Sequence, residues 1–196
     1  MFVKDWKKEI FTIPNLLSLF RLVLIPVYVT IFLRAQEAVE YYLAGGILAV
    51  SCLTDLIDGK IARHFNMITS LGTILDPLAD KATQFTLILC LAMKVESTAL
   101  WLLIGLFVLK ESFQLIAGSI RLRKRIMLRG ALLSGKICTT ILFVSLIVMV
   151  IMPEMPMRII NIITAVDAVF MIVAFIHYIV AYICMEHKFQ SLDEES

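Results

Sequence analysis

Six long apolar stretches separated by short polar breaks dominate the chain. They run at about 14–33, 41–63, 71–93, 98–121, 131–152 and 157–185. Each is long enough to cross a bilayer as a helix, which takes roughly 20 mostly apolar residues. The breaks fall at Arg34–Glu40, His64–Ser70, Lys94–Ser97, Leu122–Gly130 and Pro153–Pro156. Connections this short predict antiparallel neighbours, so the expected fold is an all-α integral membrane protein, a compact bundle of six transmembrane helices. Ahead of the first stretch, Lys4, Lys7 and Lys8 alternate with apolar residues around Trp6 and Phe11. That pattern predicts a short amphipathic helix over 1–12 at headgroup level. The first apolar stretch is too long for a cleavable signal, contains Arg21 and lacks a small-residue cleavage site. No repeat or linker divides the sequence, so residues 1–196 are expected to form a single domain.

Composition supports the bilayer as solvent. Hydrophobic residues make up 60% and charged residues 17% of the chain, against about 45–50% and 25% in soluble domains. Mean hydropathy is +0.92. Net charge is only +2, and its distribution says more than its size. With the N-terminus inside, the inner side receives Lys4, Lys7, Lys8, Lys60, Arg63, Arg121, Arg123, Lys124, Arg125, Arg129 and Lys188, and the outer side only Arg34, Lys94 and Arg158. This bias predicts cytoplasmic termini in a multi-pass cell membrane protein. Nucleic acid is not expected as a partner. Cys52, Cys90, Cys138 and Cys184 sit singly in apolar runs and read as small buried side chains.

The remaining charges are the informative ones. Arg21, Lys81, Lys110, Lys136, Asp55, Asp58, Asp76, Asp80, Glu111 and Asp167 all lie inside expected spans. Each costs on the order of 2.5–3.5 kcal/mol at a helix centre on insertion scales. Most map toward the inner ends of their helices, which predicts one polar cavity open to the cytoplasm. Asp55 and Asp58 are three apart, Asp76 and Asp80 four apart, so each pair shares a helical face. The turn between the second and third spans brings both pairs to one depth. Four facing carboxylates repel unless cations neutralise them. Oxygen-only ligands suit Mg²⁺ or Mn²⁺, with substrate phosphate completing the coordination. Gly59, Ala62 and Gly72 leave room for a bulky group beside these helices, and Arg63 is placed to meet phosphate at the inner face.

The string Asp55-x-x-Asp58-Gly59-x-x-Ala62-Arg63, eight further residues, then Gly72-x-x-x-Asp76-x-x-x-Asp80 resembles the CDP-alcohol phosphotransferase motif at every fixed position. The resemblance extends to length, six spans and a cytoplasmic site. It implies a binuclear centre in which Asp55, Asp58, Asp76 and Asp80 hold two divalent ions against the pyrophosphate of a CDP-lipid. It also implies that Asp80 accepts the proton of the attacking hydroxyl. Two metals can stabilise the entering and leaving oxygens of an in-line displacement. CMP would leave and the alcohol would join the phosphatidyl group.

A second resemblance concerns the acceptor. Ile13-Pro14-Asn15-Leu16-Leu17-Ser18-Leu19-Phe20-Arg21, followed by Pro26, is similar to the opening of phosphatidylglycerophosphate synthases, with Ser18 in place of the usual threonine. It implies CDP-diacylglycerol as donor, with Asn15 and Ser18 helping to hold cytidine, and sn-glycerol 3-phosphate as acceptor. Asn15 has a structural alternative as a cap of the first helix. A phosphate dianion calls for cations, and Arg121, Arg123, Lys124, Arg125 and Arg129 stand before Gly135-Lys136-x-x-Thr139, an element also similar to those synthases. Arg121, Lys136, Lys110 and Thr139 are the expected acceptor-phosphate residues. Loop cations also serve topology and anionic headgroups.

Two departures bear on the acceptor: Lys110-Glu111 stands where the synthases carry Arg-Glu, and Cys138 precedes Thr139 where they carry lysine. Lysine loses the planar fork of arginine. A cardiolipin synthase of the same family, taking phosphatidylglycerol, is the nearest alternative. An intramembrane prenyltransferase carries its aspartates on well-separated helices, and a cation transporter needs polar residues through both leaflets. Here Asp167 and His177 are the outer-half exceptions, read as bundle or dimer contacts. The family resemblance also implies a homodimer.

Overall fold

The computed structural model describes residues 12–64, 72–124 and 131–193. The amphipathic helix expected over 1–12 therefore lies outside the described residues except for Thr12. The described residues form six helices and no strand. In chain order these are α1 Ile13–Arg34, α2 Ala38–His64, α3 Gly72–Val95, α4 Thr98–Lys124, α5 Ala131–Ile151 and α6 Met157–Asp193. The protein is an all-α membrane protein. Helix ends follow the expected breaks within a few residues. The exception is α6, which runs on to Asp193 past the apolar run, because backbone hydrogen bonding continues a helix where hydropathy no longer marks it.

Among the described residues, four helices contain stretches long and apolar enough to cross a membrane: Asn15–Arg34, Thr98–Gly118, Ser134–Ile151 and Met157–Cys184. Only 22% of the first and 28% of the last is buried within the protein, so most of their apolar surface faces outward. That is the arrangement expected where lipid is the solvent. The paired aspartates lie on the other two helices, and in α2 Ala38–Thr54 is a further, shorter apolar stretch.

The chain divides into two compact units, one of residues 1–96 with 146–155 and the other of 97–145 with 156–196. In the first unit α1 packs against both α2 and α3. Tyr28, Phe32, Leu48, Leu87 and Leu91 are buried there. Apolar burial drives helix association weakly in lipid, so polar ties carry more of the specificity. One such tie closes the C-terminal end of α1. Lys94 Nζ donates to the carbonyl of Phe32 at 2.8 Å and to that of Ala35, and lies 4.6 Å from the Tyr41 ring centroid. A cation at a helix C-terminus satisfies carbonyls that have no intrahelical donor. Glu96, with φ 53°, ends α3 in the left-handed conformation common after a helix C-terminus.

In the second unit α4 packs on α6, with Phe113 edge-on to Phe175 at 5.3 Å between centroids. Ser145 Oγ donates to Asp167 Oδ1 at 2.9 Å, which makes the buried Asp167 a contact between α5 and α6, whereas His177 is exposed. The expectation of four buried cysteines is met by Cys90 and Cys138; Cys184 is exposed and Cys52 is intermediate. A cysteine in an apolar run is compatible with a lipid-facing position as well as a core one.

Candidate active site

Asn15, Ser18 and Arg21 follow one another at three-residue intervals on α1, and all three are buried. The N-cap of α1 is Thr12. Asn15 is thus inside the helix, and the capping alternative does not apply to it. Opposite this row, α3 presents Asp76 and Asp80 one turn apart. The Arg21 guanidinium spans them: Nη1 donates to Asp80 Oδ1 at 2.6 Å and Nη2 donates to Asp76 Oδ1. Ser18 Oγ donates to Asp76 Oδ1 at 3.3 Å and accepts from Arg21 Nη2 at 3.5 Å.

Exposure divides this cluster into a floor and a rim. The Arg21 side chain is 3% exposed, while those of Asp76 and Asp80 are 43% and 44% exposed. The cation approaches from within the helix packing, and the carboxylates open outward. Half-exposed carboxylate oxygens fit a hard divalent cation, which takes oxygen ligands and completes its shell with water or phosphate. Among the described residues there is no group of three or more His, Cys, Asp or Glu side chains placed to hold a metal.

The remaining aspartates lie on α2. Its helical backbone covers Asp55, Asp58, Gly59, Ala62 and Arg63, which fixes the three-residue spacing of the first pair, but their side chains are outside the described ones. Gly72 opens α3 and is half-buried.

The expected acceptor residues belong to the second unit. Lys110 on α4 is buried, and its Nζ is 2.7 Å from Glu111 Oε1, so part of its charge is already balanced. Lys136 on α5 is exposed. Thr139 Oγ1 lies 3.1 Å from the Gly135 carbonyl and 3.0 Å from that of Lys136 and donates its proton there, which leaves its lone pairs to accept. Arg121 is in the last turns of α4, with its side chain outside the described ones. Gly135 has a reason of its own to be small: a Cβ there would run into the Tyr178 hydroxyl of α6.

Arg21 is the residue that sequence reasoning undervalued. The sequence marks it as an intramembrane charge and as the end of the opening pattern but gives it no partner, whereas it joins α1 to both described aspartates. The available signal was physical, since an arginine inside a span needs an acidic partner.

Comparison with known proteins agrees with this geometry. The protein-family model described as CDP-alcohol phosphatidyltransferase matches residues 11–183. The chain is 41% identical over 90 residues to a cardiolipin synthase (CMP-forming)/mitochondrial hydrolase fusion protein of Schizosaccharomyces pombe, covering 45% of this chain and 14% of that protein. It is 34% identical over 117 residues to a cardiolipin synthase (CMP-forming) of Streptomyces coelicolor, covering 58% of this chain and 53% of the relative. It is 44% identical over 71 residues to the CDP-diacylglycerol–glycerol-3-phosphate 3-phosphatidyltransferase of Escherichia coli, covering 36% and 38%. The matched segments thus span about half or less of the length of these relatives.

Proposed function

The chain belongs to the CDP-alcohol phosphatidyltransferase family, and from that membership we propose that it transfers a phosphatidyl group from CDP-diacylglycerol to sn-glycerol 3-phosphate, releasing CMP. The observation that carries this reading is the pair Asp76 and Asp80, held on one face of α3 by a buried arginine and open on the other side. Members of the family generally depend on divalent cations. In this chain Asp55, Asp58, Asp76 and Asp80 would hold two Mg²⁺ or Mn²⁺ ions. When bound, such ions neutralise pyrophosphate charge and stabilise the leaving oxygen.

The rest of the chemistry falls to the chain's own groups. Asn15 and Ser18 on α1, with Gly59, Ala62, Arg63 and Gly72 around the aspartates, form the CDP-lipid site. The acceptor hydroxyl oxygen bonds to the phosphorus that carries diacylglycerol. The bond from that phosphorus to the bridging oxygen breaks, and CMP departs with that oxygen. Asp80 takes the hydroxyl proton. Arg121, Lys136, Lys110 and Thr139 bind the acceptor phosphate. The bias of basic residues supports a cytoplasmic face for this site, in the cell membrane, and family membership supports a homodimer.

A second reading, phosphatidylglycerol as acceptor, is favoured by the longer stretch shared with cardiolipin synthases, 117 residues against 71. The balancing of Lys110 by Glu111 points the same way. The deciding experiment offers labelled CDP-diacylglycerol with glycerol 3-phosphate, phosphatidylglycerol, inositol phosphate or serine, with and without Mg²⁺. Phosphatidylglycerophosphate as the sole new lipid supports the first reading. Cardiolipin from phosphatidylglycerol, with no response to glycerol 3-phosphate, replaces it with the second.

A further inference from the structure

A small cavity lies among α1, α2 and α3, and Arg21 forms part of its wall. Its other polar lining comes from Tyr28, Ser51, Thr83 and Thr86, and leucine and isoleucine side chains supply the remainder. The space open to the centre of a water is about 10 Å³, close to the minimum of roughly 10–15 Å³ that holds one molecule.

Tyr28 stands two turns beyond Arg21 on α1 and is 2% exposed. Its ring stacks on Phe32 at 5.4 Å, and its hydroxyl has no hydrogen-bond partner among the described residues. Buried hydroxyls are rarely left so, because a polar group taken out of water needs its hydrogen bonds replaced. Thr83 Oγ1 spends its proton on the Ala79 carbonyl at 2.8 Å, which leaves lone pairs able to accept. A donor without an acceptor, an acceptor with capacity and room for one water therefore line the same small space. Arg21 borders the same space.

We propose that this cavity holds one buried water bound by Tyr28 and Thr83 against Arg21, and that Tyr28 is through it a positioning residue for Arg21, and so for Asp76 and Asp80. The water accepts from the Tyr28 hydroxyl and donates to Thr83 Oγ1. It closes the wall behind the guanidinium and holds the fork on both aspartates. The role assigned to Tyr28 rests on the reading of those aspartates as the reacting site.

The test joins a high-resolution structure to a mutant cycle. The structure of the full chain should show ordered water in the cavity. Tyr28→Phe keeps the ring, so folding is expected to persist. Turnover should fall roughly tenfold with the Michaelis constant for CDP-diacylglycerol unchanged, as a small misplacement of a charged group produces. In an Arg21→Lys background the same change should cost less than about twofold more, because residues acting through one another are not additive. A dry cavity, or a Tyr28→Phe loss that multiplies fully with that of Arg21→Lys, overturns the proposal. Asp80→Asn serves as the reference: if it retains full transfer, the site reading itself fails; if it is inactive while Tyr28→Phe is unimpaired, only the positioning role fails.

Discussion

Arg21 of α1 and Asp80 of α3 stand 59 residues apart in the chain and 2.6 Å apart in the fold. The same guanidinium reaches Asp76, so one side chain fixes two carboxylates and locks the rotation of α1 against α3. Its burial beneath half-exposed acids makes this pairing unlike a surface salt bridge, which is worth about 0–1 kcal/mol.

Arg21→Met should lower stability in detergent by about 1–3 kcal/mol, the usual range for hydrogen bonds to charged groups and their unsatisfied remainders. Arg21→Lys should fall between it and the native chain, since an ammonium keeps the charge but lacks the fork. Thermal denaturation of the three purified proteins checks the order. Identical melting of all three would show that the bridge has no structural weight.

Asp80→Asn keeps the shape of the side chain and removes the proton acceptor proposed above. General-base help is worth roughly 10²–10⁴-fold, so turnover should drop by that order while CDP-diacylglycerol still binds measurably. Asp76→Asn, by contrast, should lose Mg²⁺ dependence and lipid binding together. Equilibrium binding of the nucleotide-lipid, measured beside CMP release, separates the two. If Asp80→Asn lost binding as completely as Asp76→Asn, Asp80 would be a ligand and no base.

Lys136→Ala should raise the Michaelis constant for glycerol 3-phosphate and leave that for CDP-diacylglycerol nearly unchanged. Lys124→Ala or Arg125→Ala should do less, and added salt should erase their effect, because a charge farther than about 8 Å from the phosphate is largely screened at physiological ionic strength. Steady-state kinetics at low and high salt check this. Equal damage toward both substrates would remove Lys136 from the acceptor site.

Gly135→Ala should be damaging because its Cβ meets the Tyr178 hydroxyl. Overpacking of this kind costs typically about 1–3 kcal/mol. Tyr178→Phe deletes the nearest atom of that clash, so the double variant should regain a substantial part of the lost stability. Melting temperatures of the four proteins form the cycle. Strictly additive losses would mean that glycine is required there for another reason.

Lys94→Met should destabilise the first unit by about 1–2 kcal/mol through loss of its bonds to the end of α1. Michaelis constants should stay as they are, since Lys94 sits at the C-terminal ends of α1 and α3, several turns from Arg21, Asp76 and Asp80. Combined melting and kinetic measurements decide. A selective change in either substrate constant would count against a purely structural role.

The helices were legible because long apolar runs admit few other structures in a bilayer. The polar end of α6 was not, since nothing in its side chains requires a helix. The spacing of Asp76 and Asp80 gave their shared face directly. Their pairing with Arg21 was hidden because it depends on how α1 rotates against α3, which no local pattern encodes. Tyr28 lies unmarked within the first apolar run, and its hydroxyl acquires meaning only in the packed cavity. Gly135 read as part of a phosphate-binding element, while the structure gives it a packing constraint set by Tyr178, 43 positions away. Lys110 read as a cation for the acceptor, and its tie to Glu111 could be foreseen only as adjacency.

The apolar contrast between the helices also gives the order of synthesis a physical meaning. Hydropathy alone carries α1 into the bilayer, whereas α3 brings acids that lipid rejects. Chains emerge from the ribosome N-terminus first, so the guanidinium of Arg21 is already within the membrane when Asp76 and Asp80 arrive. Partition of α3 into lipid is then easier once α1 is in place, since the guanidinium offsets acids that would otherwise face lipid unpaired.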